Sequence, residues 1–244
     1  MVPAPRMSFG DALAALRSRQ KTSKGAPAYG RYVNRPLGRL FAAAAYALRL
    51  SPNQVTAISA ACTFSGIAVI ALVDPTPLSA VACSILLVVG YALDAADGQL
   101  ARLIDGGSVA GEWLDHVVDA AKISSIHLAV LLNWHEFSDR SDALLLVPIG
   151  YQIVASVMFF TVILNDQLRR AHRGTTDMVL AGDGRSSTGY SLAVIPTDYG
   201  LLCVVFALLA SATVFDVVYT VLFAANAVFL LLALAKWFQE MRAY

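Results

Sequence analysis

Long runs of apolar residues restrict this chain more than any other feature, because each run has about the length that a helix needs to cross a bilayer. Charged residues make up only 14% of the 244 positions, and hydrophobic residues make up 57%. This composition excludes an ordinary water-soluble domain. We therefore predict an all-α polytopic membrane protein with about six transmembrane helices, of which the fifth is the shortest. The runs lie approximately at 52–73, 77–103, 109–133, 143–166, 199–214 and 216–237.

The residues before the first run carry a different helical pattern. Three arginines recur every four residues ahead of an apolar stretch that is too short to span: Arg31, Arg35 and Arg39. This pattern predicts an amphipathic helix in the membrane interface. Ser51 and Pro52 then have the residue types of a helix N-cap and first helical position. The chain is thus divided into a cytoplasmic N-terminal segment with the interfacial helix, residues 1–50, and a six-helix transmembrane domain, residues 51–244.

Basic residues are unequally divided between the two sides of such a membrane protein. With a cytoplasmic N-terminus, the inner segments hold nine Lys or Arg before residue 50, four between the fourth and fifth runs, and two at the end. The outer loops then hold only Arg140. This asymmetry matches the positive-inside rule and predicts a cell-membrane protein with its N-terminus in the cytoplasm. No dense basic patch is interleaved with aromatic residues, which argues against a nucleic-acid partner.

Four carboxylates lie within the second and third runs among apolar neighbours: Asp94, Asp97, Asp115 and Asp119. A carboxylate near the centre of a membrane helix costs about 2.5–3.5 kcal/mol to insert, so a function is expected. If the two helices form an antiparallel hairpin that turns near Gly106 and Gly107, all four carboxylates lie within about one helical turn of depth. They should converge on one small volume near the cytoplasmic side.

Four convergent carboxylates cannot all remain ionised without neighbouring cations. Lys122 can neutralise one charge, and it is either a catalytic group, a structural partner of Asp119 or a side chain that snorkels to the interface. Ligation by oxygen alone suits Mg²⁺ or Mn²⁺, and two ions fit both the carboxylate count and the two-metal pattern of phosphoryl transfer. Gly98, Ala101 and Gly111 share the carboxylate faces, where they either leave room for a ligand or allow close helix packing.

Residues 94–119 read D-x-x-D-G-x-x-A-R-x8-G-x3-D-x3-D. This pattern resembles the signature of the CDP-alcohol phosphotransferase family at every fixed position. Pro52, Asn53 and Thr56 at the start of the first run, and six runs behind an interfacial helix, also resemble the family. The likeness therefore extends over essentially the full chain.

The resemblance implies an enzyme of phospholipid biosynthesis that transfers a phosphatidyl group from a CDP-linked lipid, such as CDP-diacylglycerol, to an alcohol and releases CMP. It implies Mg²⁺ or Mn²⁺ as cofactor, lipid and alcohol as substrates, and a homodimer. The implied metal ligands are Asp94, Asp97 and Asp115, with Asp119 as the general base and a further contact of the second metal. The residues implied to line the nucleotide and diphosphate pocket are Asn53, Gly98, Ala101, Arg102 and Gly111. Arg102 has the alternative role of a headgroup anchor.

The acceptor alcohol stays open. Glu112 and His116 complete a G-E-x-x-D-H-x-x-D pattern, which resembles the choline/ethanolamine phosphotransferase branch rather than the phosphatidylglycerophosphate branch. His116 either handles protons beside the site or faces another helix. A basic cluster after the fourth run either binds a phosphorylated acceptor, such as an inositol or glycerol phosphate, or anchors the topology; it comprises Arg169, Arg170 and Arg173. The loop 168–198 that follows is either a solvated linker or a segment that serves as a lid or binds the acceptor.

Two other interpretations compete with this one. An intramembrane prenyltransferase also binds Mg²⁺-diphosphate through aspartate-rich helices, but it would carry a second aspartate motif far along the chain and more spans. No paired intramembrane aspartates follow Asp119. A cation transporter would continue the polar residues toward the outer face, yet residues 78–93 are almost wholly apolar.

Overall fold

The computed structural model describes residues 7–19, 27–175 and 194–243, and these residues contain helices and no strand. Five of the helices are long and apolar enough to cross a membrane, namely the third to the sixth and the last. The all-α polytopic membrane fold is thereby confirmed. In chain order the α-helices of the described residues are α1 (Phe9–Ser18), α2 (Arg35–Ala47), α3 (Pro52–Leu72), α4 (Pro77–Leu103), α5 (Val109–Glu136), α6 (Asp142–Arg173), α7 (Tyr199–Val205) and α8 (Ala212–Met241).

The fifth apolar run differs from the predicted span over 199–214. Helix α7 continues only as a 3₁₀ turn, Phe206–Leu208, and α8 begins at Ala212 after the polar Ser211. These ten residues rise about 15 Å, roughly half the thickness of a hydrocarbon core. Several of their side chains are buried inside the bundle: Leu202, Cys203, Val205 and Phe206. The run is therefore apolar because it packs against other helices, and the described residues contain five spans and one short apolar helix.

The helix predicted before the first span is present as α2, preceded by a π-helical turn, Gly30–Asn34. Its buried face consists of small residues, and it packs against α4. A methyl group added at Gly38 would lie 3.0 Å from the Cβ of Ala95, so the two helices approach closely. Helix α1 packs against α2 and α4 through the buried Ala12 and Leu16. The place of α2 in the membrane interface stays a prediction.

Serine side chains cap the N-termini of two helices, α3 and α5. Ser51 Oγ accepts a hydrogen bond from the Gln54 N–H at 3.3 Å, and Gln54 Oε1 accepts one from the Ser51 N–H at 2.8 Å. Ser108 Oγ accepts a hydrogen bond from the Gly111 N–H at 3.0 Å. These caps satisfy backbone donors that the first turn of a helix leaves free. Helices α3 and α5 therefore both begin at one end of the bundle, beside the 104–108 turn, which we call the pocket end.

The opposite end, which we call the far end, contains the 73–76 and 137–141 loops. Its core includes the largest fully buried side chains of the described chain: Trp134, Phe206, Phe215 and Tyr219. Helix α3 packs against α4 and α5, whereas α6 packs against α5 and α8. The remaining faces of α6 and α8 are apolar and exposed, as at Phe160 and Leu231. Such faces suit contact with lipid tails.

Candidate active site

A pocket of about 730 Å³ opens at the pocket end, between the first turns of α3 and α5 and the last turns of α4. This volume is within the range of pockets that hold small molecules and cofactors. Two of the four aspartates of the motif, Asp97 and Asp115, line the pocket together with Arg170 from the end of α6. All five residues that sequence analysis placed in a nucleotide pocket line it: Asn53, Gly98, Ala101, Arg102 and Gly111.

Three of the four carboxylates converge as the hairpin geometry predicted. One oxygen from each of Asp94, Asp115 and Asp119 lies within 4.8 Å of the others. Asp97 and Asp115 line the pocket, whereas Asp94 and Asp119 lie about one turn farther from the 104–108 turn on the same helices. The carboxylate cluster thus extends from the pocket wall into the interior of the bundle.

The fourth carboxylate, Asp97, is fixed by α3. Thr56 Oγ1 donates a hydrogen bond of 2.6 Å to Asp97 Oδ2, and both side chains are buried. Hydrogen bonds to a charged acceptor are among the strong ones, and this bond holds the carboxylate toward the pocket. Sequence analysis named Thr56 only as part of the likeness at the start of the first run. The contact joins positions 41 residues apart, and no spacing rule reports it.

Lys122 lies at the inner side of the cluster. Its Nζ contacts Asp119 Oδ1 and is 3.8 Å from Asp94 Oδ1. The same Nζ lies 5.1 Å from the centre of the Tyr199 ring, within the range of a cation–π contact. Lys122 therefore pairs with two carboxylates, and Tyr199 is a neighbour of the site that sequence analysis did not find.

The glycines of the motif divide between the two roles that the sequence left open. A methyl group added at Gly98 would meet only the Arg102 guanidinium, at 3.4 Å, so this glycine faces open space. A methyl group added at Gly111 would lie 3.3 Å from Asn53 Oδ1 and 3.2 Å from Ser108 Oγ. Gly98 therefore leaves room in the pocket, and Gly111 allows the close approach of α3 to α5.

Arg102 brings an unpaired donor to the pocket. Its Nε is buried and has no hydrogen-bond partner within the described part of the chain. Buried polar atoms in proteins nearly always have a partner, and a guanidinium favours carboxylate or phosphate. The pocket is thus suited to an anionic ligand beside this arginine.

The rim of the pocket carries both charge signs. Arg170 Nη1 is 2.9 Å from Glu112 Oε1, and Arg170 Nη2 is 2.7 Å from Asp166 Oδ2. His116 lines the pocket, with Nδ1 3.7 Å from Asp115 Oδ2, so it does not point away to another helix. The basic cluster after α6 is divided, because Arg169 instead forms two hydrogen bonds of 2.8 Å with Glu240 on α8. Only part of this cluster faces the pocket.

The fold and the site define a class of integral-membrane protein, that of helical bundles with a carboxylate-rich pocket at one end and an arginine beside it. A family model described as CDP-alcohol phosphatidyltransferase matches residues 49–238, which is most of the chain. The protein therefore belongs to the CDP-alcohol phosphatidyltransferase family, a family of transferases. A comparison with individual curated proteins found no significant match.

Proposed function

We propose that the protein transfers a phosphatidyl group from a CDP-linked lipid, such as CDP-diacylglycerol, to the hydroxyl of an alcohol and releases CMP in phospholipid biosynthesis. The observation that carries this proposal is that one pocket contains all five of the expected nucleotide-binding residues and opens onto the carboxylate cluster. Family membership supports the reaction class. The aspartate hairpin, with no second pair of aspartates inside the apolar runs after Asp119, favours this function over a prenyltransferase.

The carboxylate cluster has the donor set of a hard divalent cation. Asp94, Asp115 and Asp119 offer oxygen atoms within 4.8 Å of one another, and Asp97 is held at the same pocket by Thr56. Mg²⁺ and Mn²⁺ prefer such oxygen ligands and tend to bridge carboxylates and phosphates. We assign all four aspartates to the binding of two ions. When bound, these ions would neutralise the diphosphate and stabilise the charge that develops during transfer.

The remaining residues position the donor and move one proton. In the proposed reaction the alcohol oxygen forms a bond to the lipid-linked phosphorus, the bond from that phosphorus to the CMP oxygen breaks, and Asp119 accepts the hydroxyl proton. Arg102 pairs with the phosphates, and the space at Gly98 and Ala101 receives the nucleotide. Asn53 completes the pocket from the first turn of α3.

The proposed orientation in the membrane follows from the distribution of basic residues. The basic segments adjoin the pocket end, where α6 finishes and α1 and α2 pack, whereas the far end has Arg140. By the positive-inside rule the pocket lies on the cytoplasmic side of the cell membrane. We propose a homodimer as the working assembly. The rim formed by Glu112, His116 and Arg170 is where the acceptor alcohol enters, and its charges allow either a cationic or a phosphorylated alcohol.

The test is an assay of CMP release by the purified protein with CDP-diacylglycerol, Mg²⁺ or Mn²⁺, and a panel of alcohols that includes choline, glycerol phosphate and inositol phosphate. We expect release that requires both an alcohol and a divalent ion, is lost in excess EDTA and returns when the metal is added back. Full release in excess EDTA would contradict the metal assignment. Release of diphosphate from a prenyl diphosphate, without CMP release from the CDP-lipid, would favour the prenyltransferase alternative.

A further inference from the structure

We propose that Lys122 is a tethered counter-ion of the carboxylate cluster, a positioning residue that holds the metal-free site together and competes with divalent metal for Asp94 and Asp119. This inference rests on the metal site of the proposed function. It goes further by assigning a role to a residue outside the eight fixed positions of the motif.

The ammonium group of Lys122 lies beside two carboxylates of the cluster. Lys122 is 6% exposed, and its Nζ contacts one oxygen of Asp119 and lies 3.8 Å from one oxygen of Asp94. Both aspartates belong to the group whose oxygens lie within 4.8 Å of one another. A lysine within a membrane helix is costly unless it is paired, so these two carboxylates explain its presence. The lysine occupies the side of the cluster opposite the pocket.

A wall that includes two tyrosine rings encloses the lysine. Tyr199 lies beneath the ammonium, and the Tyr91 ring packs edge-on against Tyr199 with centroids 5.1 Å apart. Asp198 fixes the start of α7, because its side chain accepts hydrogen bonds of 2.9 Å from the N–H groups of Gly30 and Gly200. The Tyr199 ring thus backs the ammonium, and Tyr91 and the cap at Asp198 hold Tyr199 in place. The lysine is therefore held against the carboxylates.

The position of the Lys122 ammonium opposes the binding of a divalent ion. A divalent ion that binds the oxygens of Asp94 and Asp119 must displace the ammonium or accept a positive charge a few ångström away. Both alternatives weaken binding, because charges of the same sign repel strongly at such distances in a medium of low dielectric. Without metal, the same ammonium neutralises carboxylates that would otherwise repel one another. Lys122 should therefore weaken metal binding and stabilise the metal-free protein.

The experiment replaces Lys122 by the uncharged methionine of similar length. For purified protein stripped of metal, we measure the Kd for Mn²⁺ from the electron paramagnetic resonance signal of free Mn²⁺, and the Tm with EDTA and with saturating Mn²⁺. We expect Lys122→Met to bind Mn²⁺ at least about tenfold more tightly. Its Tm in EDTA should fall by about 5 °C or more, and Mn²⁺ should recover most of that loss. The matched control, Lys236→Met, removes an exposed lysine near the end of α8 and should change neither quantity.

The Mn²⁺ affinity and the Tm of Lys122→Met together test the proposed role of Lys122. An unchanged or weaker Mn²⁺ affinity in Lys122→Met, with a lowered Tm, overturns the proposal and leaves Lys122 as a structural residue. A variant that is recovered folded only when Mn²⁺ is present supports it, whereas one that aggregates with and without Mn²⁺ overturns it. Failure of the wild-type protein to bind Mn²⁺ contradicts the metal site of the proposed function itself. The wild-type titration therefore separates the two failures.

Discussion

The two ends of the bundle differ in how their buried polar groups are paired. At the far end, Arg140 forms two hydrogen bonds of 2.8 Å with Asp216, and its guanidinium lies 4.8 Å from the centre of the Trp134 ring. Asn133 Nδ2 donates to the Ile70 carbonyl at 2.8 Å. These contacts join α5 to α3 and α8 and pair charges of opposite sign. The polar groups of the far end therefore serve the packing of the helices.

At the pocket end, three carboxylates are instead brought together beside the ammonium of Lys122, so negative charge is in excess. Three carboxylate groups lie within 4.8 Å of one another, and the Nε of Arg102 has no partner in the described chain. Such an arrangement costs stability and persists because the surrounding structure imposes it. Helix α5 carries both kinds of group, with Asp115 and Asp119 toward its start and Asn133 and Trp134 near its end. One helix thus supplies stability at one end and a ligand site at the other.

The largest effect on the rate of CMP release should come from replacing a carboxylate of the pocket end by alanine, compared with the same replacement at the far end. Asp115→Ala, and likewise Asp94→Ala, should lower the rate of CMP release by at least about 10³-fold, because each removes a metal ligand that stabilises charge in the transition state. The yield of folded Asp115→Ala should change little, since the loss of this acid relieves repulsion in the metal-free cluster, whereas Asp94→Ala also removes one of the two carboxylates beside Lys122. Initial rates and size-exclusion profiles measure the two quantities.

The matched control for this exchange is Asp216→Ala at the far end. It leaves the Arg140 guanidinium without its carboxylate partner and should lower the Tm while the activity per folded molecule is retained. Wild-type turnover in Asp115→Ala, or loss of turnover in folded Asp216→Ala, would remove the distinction between the two ends.

A second, smaller effect should separate two carboxylates within the pocket end. Asp119→Asn should slow the chemical step by at least about 10²-fold, because asparagine cannot accept the proton of the alcohol. It should preserve binding of metal and CDP-lipid better than Asp97→Asn does, since Asp97 lines the pocket and Asp119 lies deeper. Single-turnover rates and the Kd for the CDP-lipid measure the difference. Near wild-type rates in Asp119→Asn would show that the base is elsewhere, with His116 as the next candidate.

The sequence predicted the convergence of the carboxylates because a helix has a fixed rise and a hairpin has one turn. Equal counts from Gly106 to Asp97 and Asp115 place both at equal depth, and the structure has both on the pocket wall. The N-cap at Ser51 was equally visible, since capping is a local interaction. What depends on spacing within one helix or one hairpin was thus within reach of sequence reasoning.

Contacts between distant segments were not within its reach. Nothing in the spacing of residues connects Thr56 with Asp97 or Lys122 with Tyr199, because such pairs depend on how the helices rotate against one another. The fifth span was overestimated for a related reason. Hydropathy responds equally to burial in lipid and burial in protein, so it does not distinguish the short, packed α7 from a spanning helix.

The smallest effects on KM and Tm should come from replacing two glycines of α4 by alanine, one that faces the pocket and one that packs against α3. Gly98 faces the open pocket, whereas a methyl group added at Gly90 would overlap Thr63 Oγ1 and lie 3.3 Å from the Ser59 carbonyl. Ser59 Oγ also donates a hydrogen bond of 2.8 Å to the Gly90 carbonyl, so α3 has little freedom to retreat. The same substitution by alanine therefore tests space for a ligand at one position and space for a helix at the other.

Gly98→Ala should raise the KM for the CDP-lipid about tenfold, the effect of one methyl group in a fitted pocket, and leave kcat nearly unchanged. Its Tm should stay the same or rise slightly, because alanine favours the helix over glycine. Gly90→Ala should instead lower the stability by about 1–3 kcal/mol through overpacking, visible as a drop in Tm, with the KM unchanged. A lowered Tm in Gly98→Ala together with an unchanged KM would mean that Gly98 serves helix packing, and the nucleotide would then have to bind elsewhere in the pocket.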